Sequence, residues 1–411
     1  MSQALAELST PASAGPRQRL DSLDLLRGAS ILGILLMNVP SIGLPSAAYT
    51  NPTAYGNIST ANYLTWIIIH IFADMKFITI VSTMFGAGII LQAERSAARG
   101  LSPAGVHYRR MAILLLIGLC HAYFVWFGDI LVMYCLAGMI LFPLRRLPET
   151  ALIATGVCLI SVATLIVYCN YRQIFQPVLS ITDMSERIVS AVDGNDGELH
   201  AYRDGWSAEM AGRAPYSFDN ETTSFALHWF WRCGGAMLIG MGLHKARFFH
   251  AAWPRPAYGA IAAFAIPAGA MITILGVLFN DYYGWNPADL DFPGMEFNYW
   301  GSLLSAFGYM ALGNTVAIHA AQHAGGLIAA AVAPIRAVGK TALSNYIMQN
   351  LICTTIFYGH GFGEYGYISR IGCLEITLAI WAFQLFVSTL WLRRFNQGPL
   401  EWLWHKGVYF K

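Results

Sequence analysis

Apolar stretches of bilayer-crossing length recur along this chain, each closed by arginines, turns or polar residues. A hydrocarbon core about 30 Å thick asks for roughly 20 apolar residues in a helix. Backbone polar groups in lipid must be bonded within their own segment, so such runs fold as helices. Hydropathy places about ten spans, near 27–44, 70–92, 111–127, 130–144, 151–169, 224–244, 257–280, 299–320, 341–358 and 372–392. The expected fold is all-α, a polytopic membrane bundle of about ten transmembrane helices. Only 12% of residues are charged, about half the usual soluble share, which argues against a soluble enzyme. A formal charge of +2 offers no basic field for a nucleic acid.

The chain divides into a cytoplasmic segment 1–24, a helical half 25–245 and a second half 246–411 with a tail. Arg95, Arg99, Arg109, Arg110, Arg145, Arg146, Lys245, Arg247, Arg336, Lys340, Arg393 and Arg394 fall on one side if ten spans cross. The positive-inside rule makes that side cytoplasmic and puts both termini there. The opposite side carries an acidic segment, 171–223, including Asp183, Glu186, Asp193, Glu198 and Glu209. Short helices are expected within it, around a turn at Asp193–Gly197. The third and fourth spans are short and meet at Gly128 and Asp129, as a hairpin that stops short of crossing or that lines a cavity. Arg17, Arg19 and Arg27 ahead of an apolar run also fit a leader peptide, though the polar lead is long for one. The seven cysteines form no CxxC pair and read as small apolar residues. His319 and His323 lack a third ligand, so no metal is expected.

Ionisable groups inside a span cost about 2.5–3.5 kcal/mol each on insertion scales, which makes them functional candidates. His121 lies eleven residues beyond Arg110, near mid-bilayer, and Asp129 follows about two turns later. A carboxylate can orient a histidine as general base; the alternative is a core histidine bonded to a neighbouring helix. Asp24 and Arg27 stand one turn apart at the start of the first span, where they can pair, and Arg27 can instead bind phosphate. Asn38, three turns on, returns to the face of Arg27. Lys76 sits in the outer third of the second span, to snorkel or to bind an anion. Gly86 and Gly88 suit close helix packing. Trp126 belongs to an aromatic run after His121, and Asn345 and Gln349 share one helix face as interhelical glue or substrate contacts.

Three segments carry a resemblance: Leu23-Asp24-Leu25-Leu26-Arg27-Gly28 through Asn38; Gly118-Leu119-Cys120-His121 through Asp129-Ile130-Leu131; and Leu343-Ser344-Asn345-Tyr346 through the Gly398-Pro399-Leu400-Glu401-Trp402 tail. On these the sequence resembles the YeiB family of bacterial inner-membrane proteins over nearly its whole length. That family is in turn similar to transmembrane acyltransferases such as the heparan-α-glucosaminide N-acetyltransferase. In both, an Arg-led first span carries a polar residue eleven positions on, here Arg27 and Asn38. Sugar O-acyltransferases have a catalytic histidine at the second position. The heparan enzyme has Asn there and its histidine in the next loop, where this chain has Tyr49 and Tyr55.

The resemblance implies transfer of an acyl group from cytoplasmic acetyl-CoA or another acyl-CoA to a sugar or envelope molecule across the membrane. Arg27, with Arg109 and Arg110, would hold the coenzyme. Asn38 would bond the thioester, and His121 with Asp129 would supply the base. Lys76, Trp126, Asn345 and Gln349 would contact substrate. Partners are the lipid bilayer and a small molecule, with no nucleic acid, and the superfamily analogy points to a homodimer. The competing expectation is a small-solute transporter using the same buried polar residues; the absence of a clear internal repeat argues against it.

Overall fold

The computed structural model describes residues 16–174, 195–250 and 252–409, and among them it holds helices and no strand. The helices are α1 (Pro16–Gly43), α2 (Ala47–Thr50), α3 (Thr60–Phe72), α4 (Lys76–Ala98), α5 (Pro103–Phe124), α6 (Leu131–Leu141) and α7 (Glu149–Tyr171). After them come α8 (Asn195–Arg203), α9 (Trp206–Asp219), α10 (Phe230–Lys245), α11 (Arg255–Tyr282), α12 (Met295–Gln322), α13 (Leu327–Lys340), α14 (Ala342–Phe357), α15 (Arg370–Trp391) and α16 (Pro399–Val408). A π-helical stretch, Asn220–Trp229, joins α9 to α10.

Six helical stretches among the described residues are long and apolar enough to cross a membrane: Ser22–Gly43, Thr60–Ala98, Glu149–Tyr171, Arg255–Tyr282, Pro287–Gln322 and Arg370–Trp391. The bent pair α13–α14 makes a seventh if counted as one span. The count of about ten is not reached by this measure. α5 is long enough but carries Arg109, Arg110 and two histidines. α6 has 11 residues, about 16 Å at 1.5 Å per residue, half a hydrocarbon core. Large apolar side chains stay uncovered on the long helices, with Phe264 71% and Phe386 67% exposed. Surfaces of that kind suit lipid better than water.

α1 is the hub. It is flanked by α4, α12, α13, α14 and α15, and two-thirds of its apolar window is buried. Where α1 crosses α13, a side chain on Gly28 would overlap the carbonyl oxygen of Ile335, and one on Gly339 that of Asp24. Where α4 crosses α10, Gly86 abuts the carbonyl of Met237 and Gly240 that of Thr83. Helices that gain nothing from hiding apolar surface in lipid associate through such backbone-close contacts. Gly86 therefore packs as expected. Gly88 does not: nothing lies within 4 Å of where its side chain would stand.

Two sequence expectations change. The region holding Arg336 and Lys340, placed between the eighth and ninth spans, is helix α13; it turns through 84° into α14 at Thr341, whose φ of −116° and ψ of 34° leave the helical region. Asn195 to Gly197, expected in a turn, open helix α8; Asp183, Glu186 and Asp193 lie outside the described residues. The rest of the acidic segment does form short helices, and buried carboxylates anchor them. Glu198 accepts from Ser46 N (2.7 Å) and the Tyr365 hydroxyl (3.0 Å). Glu209, fully buried, accepts from His360 N (3.0 Å) and pairs with His360 Nδ1 (2.7 Å).

The tail helix α16 is held by one carboxylate. Glu401 Oε1 accepts from the backbone N–H of Leu343 (2.6 Å) and Ser344 (3.2 Å), and Oε2 accepts from the Ser344 hydroxyl (2.5 Å). These are first-turn donors of α14 that have no partner inside the helix. Glu401→Ala is expected to cost about 1–2 kcal/mol, read as a lower unfolding temperature and as faster proteolysis of the tail.

Candidate functional site

Buried polar side chains from α1, α5 and α14 meet at the bundle centre. Asp129 precedes α6, and its Oδ2 accepts from Val132 N (2.7 Å), so it caps the helix and is fixed in place. Its Oδ1 lies 2.8 Å from His121 Nδ1, with both side chains at most 2% exposed. His121 Nε2 lies 3.0 Å from Asn350 Nδ2, and Asn350 Oδ1 accepts from Asn38 Nδ2 (3.3 Å). Donors and acceptors then alternate in one consistent way. Asn38 donates to Asn350, Asn350 donates to Nε2, and the Nδ1 proton goes to Asp129. In this arrangement Nε2 carries the lone pair that accepts from Asn350.

α9 closes the end of α5 beside this chain. Arg213 donates to Val125 O (2.7 Å), Ser217 to Ala122 O (2.9 Å) and Asn220 to Phe127 O (3.1 Å). These carbonyls at the helix end have no intrahelical donor, so the cap and the histidine-bearing helix hold one another.

Two separate cavities lie toward opposite ends of α4. The smaller, about 310 Å³, has Arg27, Arg110 and Lys340 in its wall, then apolar side chains, and reaches Ile130 and Tyr346. Tyr346 stands between it and the dyad: its ring lies 5.1 Å from that of His121, and its hydroxyl accepts from Ile130 N (3.4 Å). Arg27 pairs with Asp24 at 3.1 Å. Arg110 donates to Gln92 Oε1 (2.9 Å) and lies over the Trp404 ring. The larger cavity, about 910 Å³, is lined by Trp66, His70, Asp74, Asn280, Glu296 and Tyr299 among others, and shares no residue with the smaller.

The structure thus brings together His121, Asp129 and Asn38, and sets Arg27 and Arg110 in one pocket whose far end is Tyr346. Five other candidates lie elsewhere. Arg109 turns to the tail and donates to Val408 O (3.0 Å). Asn345 donates to Thr341 and to Ser388 (2.9 Å), and Gln349 accepts from Gln384 (3.1 Å), so both join α14 to α15 as glue. Trp126 is packed in an apolar cluster with Leu35, Val39 and Phe357. Lys76 is fully buried and donates to Asn298 Oδ1 (2.7 Å) and His70 O (2.8 Å).

Sequence reasoning missed Asn350, the link between Asn38 and His121. It follows Gln349 directly and so points about 100° around α14, off the face read as glue. It also passed over Arg232, 1% exposed, which donates to Tyr299 O (3.0 Å), Ser302 (2.7 Å) and Thr79 (3.2 Å). An arginine inside an expected span is itself a signal.

These features define a helical bundle suited to a membrane, with an ionisable centre buried inside it. Residues 243–411 match the family described as "Protein of unknown function (DUF418)". The chain is 29% identical to "Uncharacterized protein YeiB" of Escherichia coli, over 95% of this chain and 96% of that protein. It is 28% identical to "Uncharacterized protein YxaH" of Bacillus subtilis, over 95% and 94%. These matches support a YeiB-like family for the chain. The family match begins at Leu243 in α10, so Asn38, His121 and Asp129 fall outside it and inside the longer matches to the relatives.

Proposed function

We propose that this protein is a transmembrane acyltransferase of about ten spans in a bacterial inner membrane. It would take an acyl group from cytoplasmic acyl-CoA and pass it to an acceptor from the far side. The observation that carries this reading is the 310 Å³ pocket, with Arg27, Arg110 and Lys340 in its wall and its far end against the packing of Tyr346 on His121. Guanidinium forks match phosphate oxygens, and an apolar passage fits a thioester arm. The volume is at the low end for ligand sites, so the nucleotide would stay at the mouth and the arm would enter.

In the reaction, the acceptor's hydroxyl or amine attacks the thioester carbonyl. His121 Nε2 takes the acceptor's proton, and Asp129 stabilises the imidazolium that forms. The amides of Asn350 and Asn38 donate to the carbonyl oxygen as it gains charge. The C–S bond then breaks, and the leaving thiolate takes the proton back from His121. Asn350 donates to Nε2 in the resting arrangement, so the acceptor must displace that bond.

Gly88 lines the pocket and has open space where a side chain would be. Gly88→Trp is expected to fill the passage and reduce acetyl-CoA binding at least tenfold, about 1.4 kcal/mol, with the unfolding temperature unchanged. Unaltered affinity in that variant would remove the pocket from the account. A transporter reading draws on the second cavity and on the buried polar side chains of α4 toward the pocket: Thr79 bonded to Arg232, then Ser82 to Tyr134 (2.9 Å), which lines it. Solute uptake without acyl-CoA binding would favour it.

A further inference from the structure

The 910 Å³ cavity has no role in the acyl-CoA half of that reading, yet it is a built site. Asp74, Asp291 and Glu296 line it, and no Lys or Arg does among the described residues. Asp74 is already satisfied, by the hydroxyl of Tyr49 (2.7 Å), Asn298 (2.8 Å) and His70 (3.0 Å). Lys76 lies just behind, bonded to Asn298. The unsatisfied capacity is at the other end. Asn280 is 6% exposed, and its Oδ1 has no hydrogen-bond partner. That oxygen sits against Gly294, which also lines the cavity, between Asp291 and Glu296 in the chain. Asp291 is exposed, and Glu296 accepts from Thr164 (2.7 Å) with the Trp300 side chain beside it. Beside them the rings of Tyr171 and Phe292 lie 5.3 Å apart on the cavity wall.

We propose that this cavity binds an amphiphile with a primary ammonium head. Asp291, Glu296 and Asn280 all line the cavity; acceptors ask for a ligand rich in donors, and an ammonium carries three N–H groups and no acceptor. Carboxylates with aromatic faces attract a cation and repel a phosphate or sulfate head. The apolar part is placed by α7. Leu165, 57% exposed on a helix long and apolar enough to span, edges the cavity. An alkyl chain can therefore leave sideways toward lipid while the head stays inside. This site is independent of acyl transfer, since the two cavities share no residue.

The test uses the full chain in lipid nanodiscs with four photoreactive probes of one chain length: dodecylamine, its trimethylammonium analogue, a dodecyl glucoside and a dodecyl sulfate. Dodecylamine is expected to label peptides within 165–173 and 288–299 at about tenfold lower concentration than the other three. Asp291→Asn and Asn280→Ala are each expected to weaken labelling about tenfold, the loss of one charge-assisted hydrogen bond. Leu165→Trp, on an exposed position, is expected to block the mouth, while Arg27→Ala leaves labelling unchanged. Equal labelling by all four heads, preference for glucoside or sulfate, or indifference to Asp291→Asn in a variant of normal unfolding temperature overturns the proposal.

Discussion

Asp129→Asn is expected to lower turnover roughly 10³- to 10⁴-fold while leaving a folded protein. The asparagine oxygen can still accept from Val132 N, so the cap on α6 survives. With that oxygen on Val132, the variant presents an N–H toward His121. With the N–H facing Nδ1, the histidine must carry its proton on Nε2. That is the wrong tautomer for a base whose working lone pair is at Nε2. The acyl-CoA pocket is untouched, because Asp129 does not line it. Single-turnover transfer should therefore collapse while acyl-CoA affinity stays within a factor of about two, far less than a tenfold, 1.4 kcal/mol change. His121→Ala is the harsher change. It leaves a carboxylate buried without its partner, at a cost of about 3–5 kcal/mol, so its loss of activity would be mixed with loss of fold.

Gly240→Val is expected to prevent stable folding. Any side chain at Gly240 meets the backbone carbonyl of Thr83, and the reciprocal contact at Gly86 meets that of Met237. Backbone cannot rotate out of the way as a side chain can. The helices must separate, and separation undoes the packing of Thr83 and Met237 and strains Arg232, whose guanidinium is bonded to Thr79 on α4. Overpacking a core costs typically about 1–3 kcal/mol, and a β-branched residue against a carbonyl belongs at or above the top of that range. The readout is the monodisperse fraction after detergent extraction and its unfolding temperature. Gly88→Ala, two residues from Gly86 on the same helix, is the control; open space there predicts no loss.

The helical membrane architecture was legible because apolar runs of spanning length leave one solution. The span count was harder. α6 and α14 are apolar but short, with 11 and 16 residues, and hydropathy alone cannot tell a crossing from a helix buried among others. His121 and Asp129 were legible as ionisable residues at depth, but helical spacing set them on neighbouring faces; α5 ends at Phe124, and the turn after it brings Asp129 back onto His121. Asn38 was reached through its eleven-residue step from Arg27. The partner that completes the chain, Asn350, was hidden because helix pairing decides which neighbour a face meets. Arg109 and Arg110 differ in the same way. They are adjacent in sequence, yet α5 turns one toward the tail carbonyl of Val408 and the other into the pocket.

The central claim is that acyl-CoA enters beside Arg27 and reacts at His121. Its most direct test is calorimetric titration of acetyl-CoA into the detergent-purified protein and into Arg27→Ala and His121→Ala variants confirmed as folded. Saturable binding that is lost in the Arg27 variant and kept in the His121 variant is the expected result. A folded wild-type protein that binds neither acetyl-CoA nor longer acyl-CoAs would contradict the acyltransferase account.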